Sequence, residues 1–390
     1  MKITWVTRSF LDYRIPVFQA VDEMCGHKLT VIYYKDIPPE RTQRKLKAVL
    51  GDRAIAREKE LRIGNKPKID NATVANSSFR IPISLGLVKQ ILKTEPDVLV
   101  SDGFMQWTYA PLIVRALKRI PHVMCYERTA HTERNAGKLR TAYRKFVSHW
   151  IDAIDCNGIQ TGDYIKSLLG WSDNRLTFGH MVADVEGLTR KAQNITLDEC
   201  ATLRKELGVQ GTMLIFTGQL IARKGVTELL SAFQEVAKNR NDLTLVFVGS
   251  GPLEHSLKRQ IQTNHIPNVV LTGAVDYDNI ALYYRAADCF ILPTMEDNWS
   301  LVVPEAMACG LPVATTIYNG CHPELVHPEN GWVFDSQNPE SIKDVLLKIA
   351  DSKEQLKEMG NASKQIVASH TAQQAAQSIM DAINIVLKRK

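Results

Sequence analysis

The chain has 390 residues, of which 45% are hydrophobic and 23% are charged, and its net charge is +6. These proportions exclude a disordered or collagen-like chain, and the length predicts two or three domains. The charge is uneven: residues 1–189 hold 29 of the 48 Lys and Arg and 20 of the 42 Asp and Glu, which leaves 19 and 22 for the rest. The first half is therefore basic and the second slightly acidic.

Targeting and redox features are sparse. The first residues turn polar within a few positions, which predicts no secretory leader. No segment approaches the roughly 18 consecutive apolar residues of a membrane span. Seven cysteines are scattered between Cys25 and Cys321 without a C-x-x-C pair. They predict reduced thiols, no zinc site and a cytoplasmic protein.

Much of the positive excess lies in residues 41–68. Two interpretations stay open: a solvated basic surface, or a surface that attracts an anionic membrane or a phosphate-bearing acceptor. Nucleic acid is disfavoured as a partner, because aromatic residues are not interleaved with the basic ones. The segment has too few apolar positions for a deep interfacial helix. Any membrane contact is therefore expected to be peripheral, at the inner face of the cell membrane.

Short β-rich runs alternate with helical patterns along the whole chain. In the first half, strands are predicted at residues 3–7, 28–33, 97–101 and 123–126, and helices at 17–24, 85–93, 108–118 and 139–154. In the second half, strands are predicted at 213–217, 243–248, 269–272, 289–292 and 312–315, and helices at 226–238, 253–263, 279–286 and 304–309, with residues 338–390 helical.

This alternation predicts an α/β fold with two doubly wound, Rossmann-like domains, each a parallel sheet between helices. The boundary is expected near residues 179–188, which gives domains of residues 1–183 and 184–370. Ligands of such sheets bind where the strands end. The segments that follow strands are therefore the candidates for chemistry.

The segment 293–313, PTMEDNWSLVVPEAMACGLPV, is the most informative of these. It predicts a polar turn after a buried strand, then a short helix and another strand. Asp297 and Glu305 bracket the turn and the helix with seven residues between them. The amides of residues 299–302 are expected at the helix entrance, where donors and the positive dipole end attract a phosphate. Carboxylates for sugar hydroxyls beside amides for a phosphate indicate a nucleotide-sugar site.

This order of residues resembles the acid-x7-acid signature of glycosyltransferase family 4, which consists of retaining enzymes with the two-domain GT-B fold. The first acid is usually Glu, whereas here Asp297 matches and Glu296 stands beside it; either can point into the site, and the spacing favours Asp297. The resemblance implies an acceptor-binding first domain and a donor-binding second domain that face a cleft, with residues 371–390 returning to the first domain. It also implies a nucleoside-diphosphate-sugar donor, UDP-linked by default, and a glycan or lipid-linked acceptor.

The resemblance assigns roles within this segment. Glu305 would accept both ribose hydroxyls, and Asp297 would engage hydroxyls of the transferred sugar. Trp299 is either a part of that sugar site or a core residue. The donor-binding residues expected here are Asn298, Trp299, Ser300, Leu301, Val302 and Glu305.

The loop GQLIARKGV follows the first strand of the second half. Adjacent cations and a glycine before a helix suit a diphosphate, although an ordinary helix start with solvated cations is the alternative. The loop resembles the family's phosphate-gripping Gly-Arg…Lys-Gly loop: Gly218 and Lys224 match, and Gln219 replaces the Arg. Arg223 would supply the missing charge.

Two further loops follow strands of the second half. Gly249 and Gly251 lie in a Gly-Ser-Gly-Pro turn, which serves either close approach to a ligand or a plain tight turn. The resemblance implies that backbone groups near Val275 cup the nucleobase. Asp276-x-Asp278 has a spacing that coordinates metal in other glycosyltransferases, but Asp276 is placed to cap the next helix. No metal and no cofactor beyond the nucleotide sugar are expected.

In the first half, the stretch after the strand at 123–126 includes Glu127 and His131. The family often places a His near the reacting sugar, and here either Glu127 or His131 could fill that position. Asp102 also follows a strand end, and His180 is interpreted as structural. A sugar-nucleotide epimerase of GT-B-like fold and a non-catalytic sugar-nucleotide-binding partner subunit remain alternatives to a transferase in surface-polysaccharide synthesis, and an NAD-dependent oxidoreductase is a more distant one.

Overall fold

The computed structural model describes residues 1–64, 73 and 80–388. The end of the basic segment at residues 65–68 lies outside them. The described chain forms two compact units. Of the described residues, the first contains 1–64, 80–182 and 371–388, and the second contains 73 and 183–370.

The strands and helices are numbered in chain order. The strands are β1 Ile3–Val6, β2 Leu29–Tyr34, β3 Ala54–Arg57, β4 Leu61–Gly64, β5 Arg80–Ile83, β6 Val98–Asp102, β7 His122–Tyr126, β8 Ala153–Cys156, β9 Leu176–Phe178, β10 Thr212–Thr217, β11 Leu243–Val248, β12 Val269–Gly273, β13 Cys289–Leu292, β14 Val313–Thr316 and β15 Gly331–Phe334. The helices are α1 Arg14–Met24, α2 Glu40–Leu50, α3 Leu87–Lys93, α4 Tyr109–Lys118, α5 Lys138–Val147, α6 Ile159–Leu169, α7 Val185–Asn194, α8 Leu197–Glu206, α9 Val226–Ala237, α10 Glu254–Thr263, α11 Ile280–Ala286, α12 Val302–Ala308, α13 His322–Leu325, α14 Pro339–Asp351, α15 Leu356–Val367 and α16 Ala372–Leu387.

The first unit is built on a seven-stranded sheet in the order β3-β2-β1-β6-β7-β8-β9, and its neighbouring strands are parallel. Strands β4 and β5 form a separate antiparallel pair. The central strands are apolar and β-branched, which suits a sheet covered on both faces. Trp5 of β1 packs edge-on against Phe18 of α1, and the same cluster includes Ile379 and Ile383 of α16.

The second unit has a six-stranded sheet in the order β12-β11-β10-β13-β14-β15, also parallel. Chain order reverses at β10, which pairs with β11 on one side and with β13 on the other. In the first unit it reverses at β1, between β2 and β6. Crevices at such switch points are where doubly wound sheets bind ligands. No helix in the described ranges is long and apolar enough to cross a membrane.

Some predicted elements differ from those observed. The helix predicted at 139–154 is wrong beyond Val147, because residues 153–156 form β8 beside β7. A short apolar run has no period that separates a buried strand from a buried helix. The helix predicted from Pro304 begins at Val302, so Pro304 lies in its first turn, where the missing N–H is tolerated. The predicted elements include no counterpart of strands β3, β4, β5, β8, β9 and β15 or of helices α2, α6, α7, α8 and α13.

Backbone contacts hold three loops together at the ends of β10, β11 and β12. The amide of Gly218 donates to Val248 O at 3.0 Å, and that of Gly249 donates to Gly273 O at 2.8 Å. Gly249 has φ +144°, and a Cβ built on it would lie 1.9 Å from Gly218 O. The glycine is therefore required by the approach of a neighbouring loop.

We expect Gly249→Ala to lower the free energy of unfolding by roughly 2–5 kcal/mol, since it adds backbone strain and an overlap with Gly218. The matched control is Gly208→Ala, in the same unit, where φ is also positive (+65°) but an added Cβ meets nothing within 4 Å. The control is expected to cost about 1 kcal/mol. Urea unfolding of both variants measures the difference, and equal losses would show that the loop contact is not the cause.

Candidate functional site

An ion pair joins two loops at the switch point of the second unit. Lys224, after β10, donates from Nζ to Asp297 Oδ2, after β13. The hydroxyl of Ser300 donates to the same oxygen at 2.6 Å, and the Trp299 amide lies 3.3 Å from Oδ1. Lys224 and Asp297 are 73 positions apart in the chain. The carboxylate is thus the centre of a cluster of donors.

The environment of Asp297 keeps it ionised. Its side chain is 13% exposed and that of Lys224 is 15% exposed. Burial by itself raises the pKa of Asp297, but the charge of Lys224 and its hydrogen bond, with that of Ser300, outweigh burial, so the pKa lies below its usual value. A carboxylate and an ammonium at the mouth of a sheet crevice can bind a hydroxyl and a phosphate respectively.

The neighbouring candidates are held differently. Glu296 is 1% exposed, and its backbone carbonyl accepts from Arg223 Nη1 at 3.1 Å. Of these two adjacent acids, Asp297 is therefore the one that forms the ion pair with Lys224. Gln219 is exposed at the end of β10, and Gly218 before it has φ +143°.

The amides at residues 299–302 fall into two pairs. Those of Trp299 and Ser300 already have acceptors in Asp297 and in Asn319 Oδ1, the latter at 3.4 Å. Those of Leu301 and Val302 have no recorded acceptor within the described ranges. Asn298 Oδ1 and Trp299 Nε1 are also buried without a hydrogen-bond partner there. Trp299 is 6% exposed, so its ring packs as a core residue while its indole N–H remains available.

Glu305 lies on α12 beneath two tyrosines of the α11 region. The hydroxyls of Tyr277 and Tyr284 each lie 3.3 Å from one of its carboxylate oxygens, Oε1 and Oε2. Burial raises the pKa of Glu305 to about 7, although both tyrosine hydrogen bonds oppose the shift. Tyr284 is fully buried and also shares a 2.7 Å hydrogen bond with Thr217. No local motif reveals these tyrosines as partners of Glu305.

Contacts within the remaining loops of the second unit are mostly between backbone groups, and the predicted donor-binding roles of Gly251 and Val275 remain predictions. The amide of Leu220 donates to Ser250 O at 3.0 Å, and a Cβ on Gly251 would meet Leu220 O at 2.5 Å. Val275 is half-buried after β12. Asp276 Oδ1 accepts from the amide of Asp278 at 2.8 Å. The N-cap position of α11 is held by Asn279, which makes no side-chain capping hydrogen bond. The predicted capping role of Asp276 is therefore wrong.

Lys191 pairs with Asp278 at 2.7 Å. Asp276 and Asp278 thus each bind a protein group. The expectation that transfer needs no metal remains a prediction.

In the first unit, a cavity of about 50 Å³ lies at the ends of β6 and β7. Glu127 lines it together with Asp102, whereas His131 does not. Arg14 Nη2 lies 3.2 Å from Asp102 Oδ1. Of the two residues left open by the sequence, Glu127 is the one at this cavity.

His180 is 1% exposed, and its Nδ1 lies 3.9 Å from Asp155 Oδ2. With Cys125 these residues form a group whose possible ligand atoms lie within 4.8 Å of one another. Arg14 lowers the pKa of His180 further after burial has lowered it. The seven cysteines are buried and free of disulfides.

Comparisons with known proteins define what the chain resembles. Residues 202–366 match the family model described as glycosyl transferases group 1. This range holds Lys224, Asp297 and Glu305. It covers less than half of the chain.

Two curated relatives are similar over part of their length. One is the GDP-mannose-dependent monoacylated alpha-(1-6)-phosphatidylinositol monomannoside mannosyltransferase of Corynebacterium glutamicum, 29% identical over 48% of this chain and 51% of its own. The other is the alpha-monoglucosyldiacylglycerol synthase of Streptococcus pneumoniae, 35% identical over 42% of this chain and 37% of its own. The chain spans about half or less of these relatives.

A solved structure covers both units. HepE of Anabaena in complex with UDP aligns over 98% of this chain and 100% of its own, with a TM-score of 0.74 and 15% identity. The predicted α/β fold of two Rossmann-like domains is confirmed by the two parallel sheets and by the GT-B glycosyltransferases that the fold resembles. The family match and these neighbours together support a group 1 glycosyltransferase.

We expect the stability of the unliganded protein to depend on Glu305 between about pH 4.5 and 7. Its pKa is raised to about 7 from 4.5, so the folded state holds more protons than the unfolded state there and loses stability as pH rises. The loss is at most roughly 3 kcal/mol. The Glu305→Gln variant has no carboxyl group at this position and therefore lacks this pH-dependent loss. Its stability relative to wild type should increase from pH 5 to pH 8. A flat difference in urea-unfolding free energy would contradict the raised pKa.

Proposed function

We propose that the protein is a retaining glycosyltransferase that moves a sugar from a nucleoside-diphosphate sugar to a hydroxyl of a glycan or lipid-linked acceptor. The observation that carries the proposal is the meeting of Lys224, Asp297 and Ser300 at the switch point of the second unit. This cluster lies within the residues that match the group 1 family. It offers a cation for phosphate and a carboxylate for sugar hydroxyls on two adjoining loops.

The diphosphate is expected to take the place of Asp297 at Lys224. A departing diphosphate gains negative charge as the glycosidic bond breaks, and a charge-assisted contact strengthens with it. Arg223 and the unoccupied amides of Leu301 and Val302 would add to this stabilisation. Asp297, released from Lys224, would accept hydrogen bonds from the sugar. These groups supply the charge that a metal supplies elsewhere, so we propose that transfer is metal-independent.

Glu305 is suited to bind the ribose. A pKa of about 7 means that near neutral pH about half of its population is protonated. Two ribose hydroxyls would donate to the ionised carboxylate and thus lower its pKa, because hydrogen bonds to a charged form favour it. Donor binding at pH 7 should then release a fraction of a proton. The tyrosine contacts at 3.3 Å are long enough to be exchanged for shorter ones.

We favour UDP as the nucleotide and surface-polysaccharide synthesis as the setting. HepE, which this fold resembles, was solved with UDP and glucose, and this supports UDP. The Corynebacterium relative is named as GDP-mannose-dependent, so GDP-sugars are the first competitors to test. Both curated relatives are named for lipid substrates or products, which supports a lipid-linked acceptor.

Peripheral contact with an anionic membrane is part of the proposal, but the basic segment at 41–68 supports it less than α5 does. In that segment, Arg41 and Lys45 pair with Asp12, and Arg53 pairs with Asp22. These contacts neutralise part of the segment's charge, so its attraction for anionic lipid is weaker than its composition implies.

Helix α5 and the turn after it expose a basic, apolar stripe. Leu139 is 87% exposed and Phe146, seven positions later on the same face, is 63% exposed. Lys138 and Lys145 are exposed beside them, and no acidic residue occurs between positions 133 and 152. Apolar side chains flanked by lysines suit the interface of an anionic bilayer. We propose this stripe as the membrane contact, on the cytoplasmic side.

Donor binding and turnover test the proposal directly. A thermal-shift panel of UDP-, GDP- and ADP-sugars should raise the melting temperature with the cognate donor. Calorimetry at pH 7 in buffers of different ionisation enthalpy should detect proton release, and Glu305→Gln should abolish it. Lys224→Ala should lower kcat by about 100-fold or more with the cognate donor, and full activity should persist in excess EDTA.

The controls separate this proposal from its alternatives. Lys191→Ala removes another lysine–aspartate pair of the second unit and should leave turnover unchanged. Products formed without an acceptor would indicate an epimerase, and donor binding without turnover would indicate a partner subunit. Loss of activity in EDTA that Mg²⁺ restores would contradict metal independence. Near-wild-type turnover of Lys224→Ala would refute the phosphate assignment.

We expect the protein to sediment with vesicles of phosphatidylglycerol and phosphatidylcholine, and less so as salt rises. The double variant Leu139→Ser/Phe146→Ser should lower the partition coefficient about tenfold or more, since each side chain buries apolar area. Leu197→Ser is the control, because Leu197 is 80% exposed but stands beside two acids. A loss caused by Arg44→Gln/Lys47→Gln on α2, and not by the α5 variant, would assign the contact to the basic segment.

A further inference from the structure

The first unit has its own charged cluster at a switch point. Chain order reverses between β2 and β6 around β1. Arg14, at the start of the helix that follows β1, pairs with Asp102 at the end of β6 at 3.2 Å. The cavity of about 50 Å³ described above opens here. It therefore occupies the position at which a doubly wound sheet binds ligands.

Three hydrogen-bond donors around this cavity have no partner within the described residues. They are Arg14 Nη1, Arg144 Nε and the hydroxyl of Tyr126. All three residues line the cavity, and their side chains are at least nine-tenths buried. A buried donor without an acceptor costs about 1–3 kcal/mol. Three such donors around one cavity indicate that something with acceptor atoms fills it.

Among the described residues, the charged groups in and around this cavity include more cations than anions. The fully buried carboxylate of Glu133 forms ion pairs with Arg128, Arg140 and Arg144. Arg14 with Asp102 adds one charge of each sign, and Glu127 adds one negative charge. Four guanidinium groups thus face three carboxylates.

Two other groups near the cavity do not reverse this balance. Burial raises the pKa of Asp155 to about 7, so this acid is only partly ionised near neutral pH. It lowers the pKa of His180 well below its usual value, so the imidazole is neutral too. The cluster therefore favours an anionic occupant over a cation.

The size of the cavity limits the occupant. About 10–15 Å³ of such space holds one water, so 50 Å³ holds roughly three to five non-hydrogen atoms. A carboxylate or a phosphate group fits within that number, and a whole sugar ring does not. The half-buried Gly103, Met105 and Gln106 border the cavity, so the rest of a larger molecule can extend outward from it.

We propose that this cavity binds a small anionic group, a phosphate ester or a carboxylate, carried by the acceptor. The inference rests on the proposed function and adds to it that the first unit receives the acceptor. The guanidinium groups of Arg14 and Arg144 and the hydroxyl of Tyr126 donate to the anion. The carboxylate of Glu127 lines the same cavity and would accept a hydroxyl of the acceptor.

The variant Tyr126→Phe tests this with little risk to the fold, because the lost hydroxyl makes no described hydrogen bond. Inorganic phosphate and sodium glucuronate are titrated into the full chain at constant ionic strength, with chloride as reference. Saturating UDP blocks the phosphate site of the second unit. If UDP does not bind, the proposed donor site is refuted, and the anions are titrated into the Lys224→Ala variant instead. Failure of the proposed donor site can then be distinguished from failure of the proposed anion site.

We expect at least one of the two anions to bind wild type better than chloride, and Tyr126→Phe to weaken that anion about tenfold. Tyr143→Phe, on α5 outside the cavity lining, should have no effect. In chloride alone, Tyr126→Phe should melt at the wild-type temperature or above it. Stronger binding of phosphate indicates a phosphorylated acceptor, and stronger binding of glucuronate a carboxylated one.

Three results would overturn the proposal. The first is that neither anion binds better than chloride. The second is that Tyr126→Phe and Tyr143→Phe bind the anion equally well. The third is a crystal structure, from crystals grown in phosphate, that shows only ordered waters on the three donors. Should Tyr126→Phe fail to fold, phenylglyoxal labelling of wild type replaces it. Phosphate should then protect Arg128, whose side chain is 26% exposed beside the cavity, and unprotected labelling would contradict the site.

Discussion

The Lys224–Asp297 ion pair connects the loop that opens α9 to the turn that opens α12, and the candidate donor site depends on it. The two opposite charges are tolerated in this half-buried position because each lowers the cost of burying the other. Ser300 adds a hydrogen bond at 2.6 Å, which fixes the carboxylate against the turn. A phosphate that enters must compete with Asp297 for Lys224. The same competition frees Asp297 for a sugar, so the two contacts of the proposed donor are coupled.

Both units place an oppositely charged pair at the strand where chain order reverses. In the first unit the pair is Arg14 with Asp102, and in the second it is Lys224 with Asp297. Parallel strands end at one edge, and their helices leave in opposite directions at the reversal, so the loops there diverge and leave polar groups partly uncovered. The two pairs differ in their surroundings. The first unit surrounds its pair with further guanidinium groups, and the second surrounds its pair with hydroxyl and amide donors.

Helix α5 connects two proposals about the acceptor. Its outward stripe at Leu139 and Phe146 suits an anionic membrane. Its inward Arg144 is 1% exposed and donates to Tyr164 at 2.8 Å beside the small cavity. On the inner side, Glu133 offsets part of the positive charge of this helix by pairing with Arg140 and Arg144. If both proposals hold, a lipid-linked acceptor with an acidic group would bind where α5 contacts the membrane on one side and the anion cavity on the other.

The sequence by itself determined the two Rossmann-like sheets and singled out Lys224, Asp297 and Glu305, since periodicity and short motifs are local properties of the chain. It did not separate the end of α5 from β8, because a buried apolar run fits either structure. Only the tertiary structure decided that Asp297 and not Glu296 receives Lys224, and that Tyr277 and Tyr284 enclose Glu305. Arg14 and Asp102 meet across 88 positions. Contacts over such separations are set by strand order and packing, and no local pattern in the sequence encodes them.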